Sequence, residues 1–483
     1  MTIIQTRLGA VEGNSTEGLQ TYLGLPFAAP PINDQRWKSP QPAAPWTGTF
    51  DATQYPNRCY QNPYDEVLGF GEVHGEESED CLYLNIYTPA ADNKRRPVLC
   101  WIHGGAYFQG AASDYDGSVI AREQDVVVVA INYRLGVFGF CNMSALGPDY
   151  AGSVNRGFED QIAALRWIRD NITDYGGDPN CVTIWGESAG AGSVLALQGA
   201  PAADGLYHRS IAFSGGHTGS HPPPDGVALL GAHFGKTENV GEALLAMPAE
   251  QLKAAQMQGA VQPTPCVDGQ TITRSGLEAI AGKGADGPPL IIGCCRDEGT
   301  FLGPMVGTDP KVLAMVQGLY AVAINLDAPG DYLAFLEEQY ADAEPSTKME
   351  RTWFHLFRSE TLRAAETATT AGAGGWVYNF EVPTDNPLGI THGSDIPFTF
   401  NHFAGGASGL FFHEQNDANR ALADIWSASM VQFARTGDPN GAGLPAWPSY
   451  EKRERNCLIF DAEPHIAPDP DGPVVRKAYG IES

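Results

Sequence analysis

Residues Val182 to Gly190 read Val-Thr-Ile-Trp-Gly-Glu-Ser-Ala-Gly, a short β-branched strand running into a Gly-x-Ser-x-Gly turn that opens a helix. Glycine at 186 and 190 lets the strand and the helix approach where a Cβ would clash. A turn this sharp pushes its central residue into a strained backbone conformation with the hydroxyl exposed, which suits a nucleophile for acyl transfer. The pentapeptide alone is weak: a chain of this glycine content gives roughly 0.3 chance matches. Its surroundings must decide. Upstream, Trp101-Ile102-His103-Gly104-Gly105-Ala106-Tyr107 is a strand ending in a turn of small residues. There the main-chain N–H groups of Gly105 and Ala106 can converge with that of Ala189 to hold a tetrahedral oxyanion. His103 is expected to hold this loop by hydrogen bonding.

These segments need a rigid frame. Strand-like and helix-like stretches alternate along the 483 residues, which predicts an α/β fold with a mostly parallel sheet flanked by helices. Pro97–Ile102 and Asp125–Tyr133 are apolar runs of the kind buried on both faces of a sheet. Ile162, Leu165, Ile168 and Ile172 fall at helical spacing within Asp160–Ile172. Gly176-Gly177-Asp178-Pro179 predicts a turn ahead of the Ser188 strand. Ser210–Ser214, Leu290–Gly293 and Trp376–Phe380 are further strand candidates. Asp417–Arg435 is an amphipathic helix with Leu422, Ile425, Trp426 and Phe433 inward, closed by Gly437-Asp438-Pro439. Residues 215–288 and 303–375 read as cap insertions into one catalytic domain spanning 1–483. The phosphate-loop-like Gly231-x-x-x-Gly235-Lys236-Thr237 is one residue short and follows no clear strand.

Composition excludes several classes. The net charge of −27 predicts a well-solvated surface and disfavours nucleic acid, since Lys94-Arg95-Arg96 is an isolated cluster. No stretch approaches the ~20 apolar residues of a membrane span, and Met-Thr-Ile-Ile-Gln-Thr-Arg carries no apolar leader core. The expected location is cytoplasmic. The nine cysteines show no Cys-x-x-Cys and no His/Cys ligand spacing, so no zinc site is expected, and acyl transfer by serine implies neither a metal nor an organic cofactor. The sequence sets no oligomeric state.

Further motifs identify a family. Arg36-Trp37, Ser78-Glu79-Asp80-Cys81-Leu82-Tyr83-Leu84-Asn85, Asn132-Tyr133-Arg134-Leu135-Gly136 and Asp160-Gln161 precede the Gly186–Gly190 turn. Asp297-Glu298-Gly299-Thr300, Thr436-Gly437-Asp438-Pro439-Asn440 and Trp447-Pro448 follow it. In order and spacing these resemble the type-B carboxylesterase family, which takes in the cholinesterases and bacterial para-nitrobenzyl esterases. The resemblance implies an α/β-hydrolase fold and ester hydrolysis through an acyl-enzyme on Ser188. It implies Glu298 as the acid and His392, in Thr391-His392-Gly393-Ser394-Asp395, as the base. It further implies Glu187, Ser214 and Asp395 as supporting polar residues, and Tyr107, Phe108 and Phe301 as walls of a pocket for a small-molecule ester.

The resemblance also implies ion pairs Arg36–Glu79 and Arg134–Asp178, and a loop-closing disulfide between Cys59 and Cys81 that a reducing compartment would leave open. Residues 60–80 contain Tyr60, Tyr64 and Phe70 but no tryptophan, which argues against choline esters. Two other readings share the chain. An amidase, peptidase or thioesterase could use the same triad, and a non-catalytic partner-binding relative would have lost the nucleophile that stands here at Ser188.

Overall fold

The computed structural model of the chain describes residues 1–62, 73–216, 219, 223–301, 309–403 and 412–481. They gather into two compact units. One takes in the described residues up to 209 with 219 and 223–279; the other takes in 210–216 and those from 280 on.

In the first unit, β1 (Thr2–Thr6), β2 (Gly9–Thr16) and β3 (Leu19–Pro26) form an antiparallel meander, with β4 (Thr49–Ala52) parallel to β2. β5 (Arg58–Cys59) and β6 (Glu77–Ser78) make a separate two-residue parallel pair. From β3 the order continues through β7 (Tyr83–Thr88) and β9 (Val127–Ile131) to β8 (Arg96–Ile102) and β10 (Gly177–Glu187). β9 and β10 flank β8, both parallel to it. Every residue of Val127–Ile131 is fully buried, which is why this strand reads as an unbroken apolar run without alternation.

The turn expected at Gly176–Pro179 is partly absorbed into β10. Gly177 already pairs with Arg96, and the register then slips until Val182. Pro179 has no N–H to give a ladder, so pairing resumes only beyond it. α1 (Arg156–Asn171) buries Ile162, Leu165 and Ile168, as their spacing predicts. α2 (Ala189–Gln198) packs on β8 and β10 and is buried on every side, which its Ala-Gly-Ala-Gly start allows.

The second unit is built on β11 (Arg209–Phe213), β12 (Leu290–Cys295), β13 (Gly375–Phe380) and β14 (Asn456–Phe460). These four run parallel, and β15 (His465–Pro468) closes the edge antiparallel. β12 extends two residues beyond the predicted Leu290–Gly293, and β14 and β15 were not foreseen. The 27-residue α3 (Pro345–Ala371) packs on β12 and β13. Its buried Arg358 bridges to Asp471 at 2.9 and 2.8 Å and donates to the carbonyl of Tyr378. α4 (Ile396–Thr399) is a single turn. α5 (Asp417–Thr436) begins with the Asn416 side chain accepting from the Asn419 N–H and ends at Gly437 with φ 84°. Its Leu422, Trp426 and Phe433 point inward as expected, while Ile425 stays half-buried. Trp426 fixes the docking through rings on three strands: Phe213, Tyr378, Phe380 and Phe460. No helix of the described residues is long and apolar enough to cross a membrane.

Of the two expected ion pairs, Arg36–Glu79 is present as a bidentate contact at 2.7 and 2.5 Å. The same guanidinium donates to the carbonyls of Leu244, Leu245 and Met247. The second pairing is corrected: Arg134 pairs with Asp160, not Asp178. Its guanidinium meets the Asp160 carboxylate at 2.8 Å through each of two nitrogens, with both residues buried. Asp178 lies at the start of β10 and reaches the exposed Arg95 at 3.5 Å. Arg134 follows the end of β9, and strands running parallel keep their starts and ends apart. Asp160→Asn should strand a buried guanidinium and destabilise the protein by about 3–5 kcal/mol. A urea midpoint indistinguishable from wild type would refute this.

Candidate active site

The first unit supplies the turn. β10 ends at Glu187 and α2 begins at Ala189, leaving Ser188 between them at φ 56° and ψ −121°. That conformation lies outside the regions open to L-residues and costs of order 1–3 kcal/mol. The flanking glycines hold it. A Cβ on Gly190 would stand 2.0 Å from the Ile102 carbonyl oxygen, and one on Gly186 2.6 Å from the same oxygen. The strand β8 thus runs so close behind the turn that only hydrogen fits.

The loop after β8 is folded against this turn. A Cβ on Gly104 would meet Glu187 Oε2 at 2.8 Å and Ser188 Cβ at 3.1 Å. Gly105, Ala106 and Tyr107 all take positive φ, at 97°, 54° and 64°. The N–H groups of Phe108 and Gln109 close the turn on the Gly105 carbonyl at 2.9 and 3.1 Å. Among the described residues no hydrogen bond uses the N–H of Gly105, Ala106 or Ala189. The Ala189 N–H is in addition an unpaired donor of the first turn of α2.

His103 underpins the loop. Its Nδ1 meets the Gly104 carbonyl at 2.9 Å, and its ring stacks on Tyr133 with centroids 4.4 Å apart. The Tyr133 hydroxyl donates to the His103 carbonyl. Burial pushes the His103 pKa down to about 3, so the ring stays neutral.

The second unit supplies a carboxylate–imidazole pair. Glu298 is fully buried beyond the end of β12. Its Oε1 accepts from the Ser214 hydroxyl at 2.5 Å and from the Cys295 N–H at 2.7 Å. Its Oε2 meets His392 Nδ1 at 2.5 Å. With Nδ1 donating to a carboxylate, the imidazole holds the tautomer whose Nε2 can take up a proton. Ser214, at φ 54°, follows the end of β11, and its N–H donates to the carbonyl of Gly293 on β12. The loop carrying His392 is tied back to the turn carrying Glu298: Asp297 N–H donates to Ile390, and Ile390 N–H donates to the Asp297 carboxylate.

The His392 ring lies between two phenylalanines. Phe301 stacks on it at 5.3 Å and 16°, Phe357 at 5.0 Å and 17°. Phe301 was expected near the site; Phe357, on α3, was not. Trp353 and Phe357 stand four apart on a helix and read as core aromatics, so no signal in the sequence marked the second. Of the other expected wall residues, Tyr107 packs its ring on Phe140 and Phe158 at 4.9 and 6.0 Å. Phe108 is half-buried, and its carbonyl accepts from Asn62. Tyr64 and Phe70 lie outside the described residues.

Asp395, at the start of α4, is fully buried and accepts from the Tyr378 hydroxyl at 2.7 Å through Oδ2, while Oδ1 has no partner among the described residues. Burial first, then the nearby Glu298 carboxylate, push its pKa up to about 7, against the opposing pull of Tyr378 and His392. The folded state therefore holds a proton that the unfolded chain sheds near pH 4. Stability should fall as pH rises from about 4 to 7, by roughly a few kcal/mol. In Asp395→Asn that slope should flatten, read as melting temperature against pH; an unchanged slope would show that Asp395 does not carry it.

Cys59 and Cys81, for which the resemblance implies a disulfide, stand here as free, buried thiols, and the Cys59 sulfur accepts from the Leu135 N–H at 3.2 Å. The neighbouring Cys59 side chain first, then burial, hold the Cys81 pKa well above the ordinary thiol value, which favours the un-ionised thiol.

Comparison with known proteins agrees with this architecture. The profile of the carboxylesterase family matches residues 1–471. The chain is 35% identical to the para-nitrobenzyl esterase of Bacillus subtilis, over 99% of this chain and 98% of that one. It is 36% identical to human carboxylesterase 5A, over 93% and 84%. Among solved structures, the Geobacillus stearothermophilus carboxylesterase EST55 superposes with a TM-score of 0.84 at 34% identity, covering 99% of this chain and 100% of that one. A para-nitrobenzyl esterase structure gives 0.86 at 31%, covering 99% of each chain. The chain belongs to the carboxylesterase family, with the α/β-hydrolase fold and the serine carboxylesterase activity on small-molecule esters that go with it.

Proposed function

We propose that Ser188 is the nucleophile of this esterase, with His392 as its base and Glu298 as its acid, in one catalytic domain spanning 1–483. The observation that carries this reading is the strained Ser188 turn with three unengaged main-chain donors in its neighbourhood. The Glu298–His392 pair, fixed in the tautomer a base requires, supports it. His392 takes the Ser188 proton as Oγ attacks the ester carbonyl. The N–H groups of Gly105, Ala106 and Ala189 hold the oxyanion, each worth ~3–4 kcal/mol in the transition state. Glu298 stabilises the imidazolium, which then protonates the departing alcohol. Water, activated by His392, releases the acid and restores Ser188.

Phe301 and Phe357 keep the imidazole from rotating away, and Phe301 closes one wall of the acyl or alcohol site. The Bacillus subtilis relative's name makes para-nitrobenzyl esters the first substrates to try. The test pairs activity with labelling. An organophosphate should inactivate the enzyme with one equivalent bound at Ser188, and esters should turn over far faster than matched amides. Labelling at another residue would overturn the assignment of the nucleophile; amide hydrolysis at the ester rate would favour the amidase reading.

A further inference from the structure

The helix α3 places Phe357 against the His392 ring and, at the next residue, carries a buried ion pair. Arg358 grips Asp471 through two nitrogens at 2.9 and 2.8 Å, and neither side chain is more than 9% exposed. Its third nitrogen donates at 3.2 Å to the carbonyl of Tyr378, the residue whose hydroxyl donates to Asp395. Asp471 leads into α6 (Gly472–Ala478), and the chain just beyond holds α3 twice more. Arg363 donates to the Tyr479 carbonyl, and the buried Tyr479 ring lies 5.5 Å from that of His355. The Asn325 side chain, donating to the Ala478 carbonyl at 2.9 Å, ties this segment down in turn.

A helix turns about 100° per residue, so Trp353 and Phe357 share one side of α3 while His355, Arg358 and Arg363 turn away from it. The first side encloses the imidazole: Phe357 stacks on it, and Trp353 meets the rings of Phe357 and Phe301 edge-on at 5.4 and 6.1 Å. The other side is the one bolted to residues 471–479. A buried ion pair adds little stability over apolar side chains of like volume. What a guanidinium fork on a carboxylate does set is orientation, because its two parallel bonds form in one plane. Here that plane sets the rotation of α3 about its own axis. A side chain standing ~6 Å from the axis moves ~1 Å for a turn of about 10°. A displacement of that size near the chemistry costs up to about a hundredfold in rate.

We propose that Arg358 and Asp471 are positioning residues for ester hydrolysis: their pair sets the rotation of α3 at which Phe357 stacks on His392. The inference rests on His392 being the base. Arg358→Lys and Asp471→Glu keep both charges buried and paired but change where the pair sets the helix. Each should lower kcat on a para-nitrobenzyl ester about tenfold and leave KM within about twofold of wild type. The two are independent, so one folded variant decides. Phe357→Ala should also lower kcat about tenfold, and adding Arg358→Lys or Asp471→Glu to it should cost less than a further factor of about two, because the effect travels through that ring. A pair that served stability alone would shift the melting temperature and leave kcat in place, which would overturn the proposal. So would an undiminished loss in the Phe357→Ala background. Ester turnover left intact in His392→Ala would overturn the reading of the base itself. With that variant inactive and Arg358→Lys at full kcat, only the present inference falls.

Discussion

Ser188→Ala should lower ester turnover by about 10⁵- to 10⁶-fold while the melting temperature stays near that of wild type. The two halves of this expectation have different origins. Activity falls because no other hydroxyl occupies the turn between β10 and α2. Stability holds because the turn's shape is set by Gly186 and Gly190 pressed against Ile102, and alanine at 188 has the same Cβ as serine. A residual rate of about 10³ over water should remain from the oxyanion donors and substrate binding. Adding His392→Ala to Ser188→Ala should cost little more, since the members of a triad act as a unit. Turnover of a para-nitrobenzyl ester by Ser188→Ala within tenfold of wild type would end the assignment.

Glu298→Gln should cost about 10⁴-fold in kcat, for a reason specific to this site. Glu298 Oε1 already accepts from two donors, the Ser214 hydroxyl and the Cys295 N–H. An amide placed there must turn its carbonyl toward them and its NH₂ toward His392. The imidazole is then forced to accept at Nδ1 and carry its proton at Nε2, where it can no longer take one from the serine. Glu298→Asp keeps the charge and the tautomer, so its loss should be smaller. If Glu298→Gln stays within tenfold of wild type, or falls no further than Glu298→Asp, the tautomer argument fails. Both variants need only steady-state kinetics and a thermal melt.

The features legible in the sequence are those whose physics is local. Gly186 and Gly190 reveal a close approach because only glycine survives a contact at 2.0–2.6 Å. The run Val127–Ile131 reveals a buried strand because both its faces are apolar. Arg134 was given the wrong partner because choosing between Asp160 and Asp178 requires knowing which end of a strand each occupies. Phe357 stayed hidden because an aromatic pair four apart on a helix looks the same whether it faces a core or an imidazole. β14 and β15 were missed where Asn456–Phe460 and His465–Pro468 lie among turn-forming and charged residues, in a tail that showed no period. Tyr107 is a wall residue only by what the resemblance implies. Its positive φ and its ring contacts with Phe140 and Phe158 were announced by no local pattern.

The hydrogen bonds that hold Glu298 span 84 residues back to Ser214 and 94 forward to His392. A growing chain therefore meets its reactive parts at very different times. The serine turn leaves the ribosome roughly two hundred residues before the imidazole does. At about 5–20 residues per second that interval is on the order of ten to forty seconds. Throughout it the nascent protein carries the proposed nucleophile without its proposed base. If the proposed triad holds, the order of residues along the chain is in this sense a safety interlock, closed only once His392 has been made.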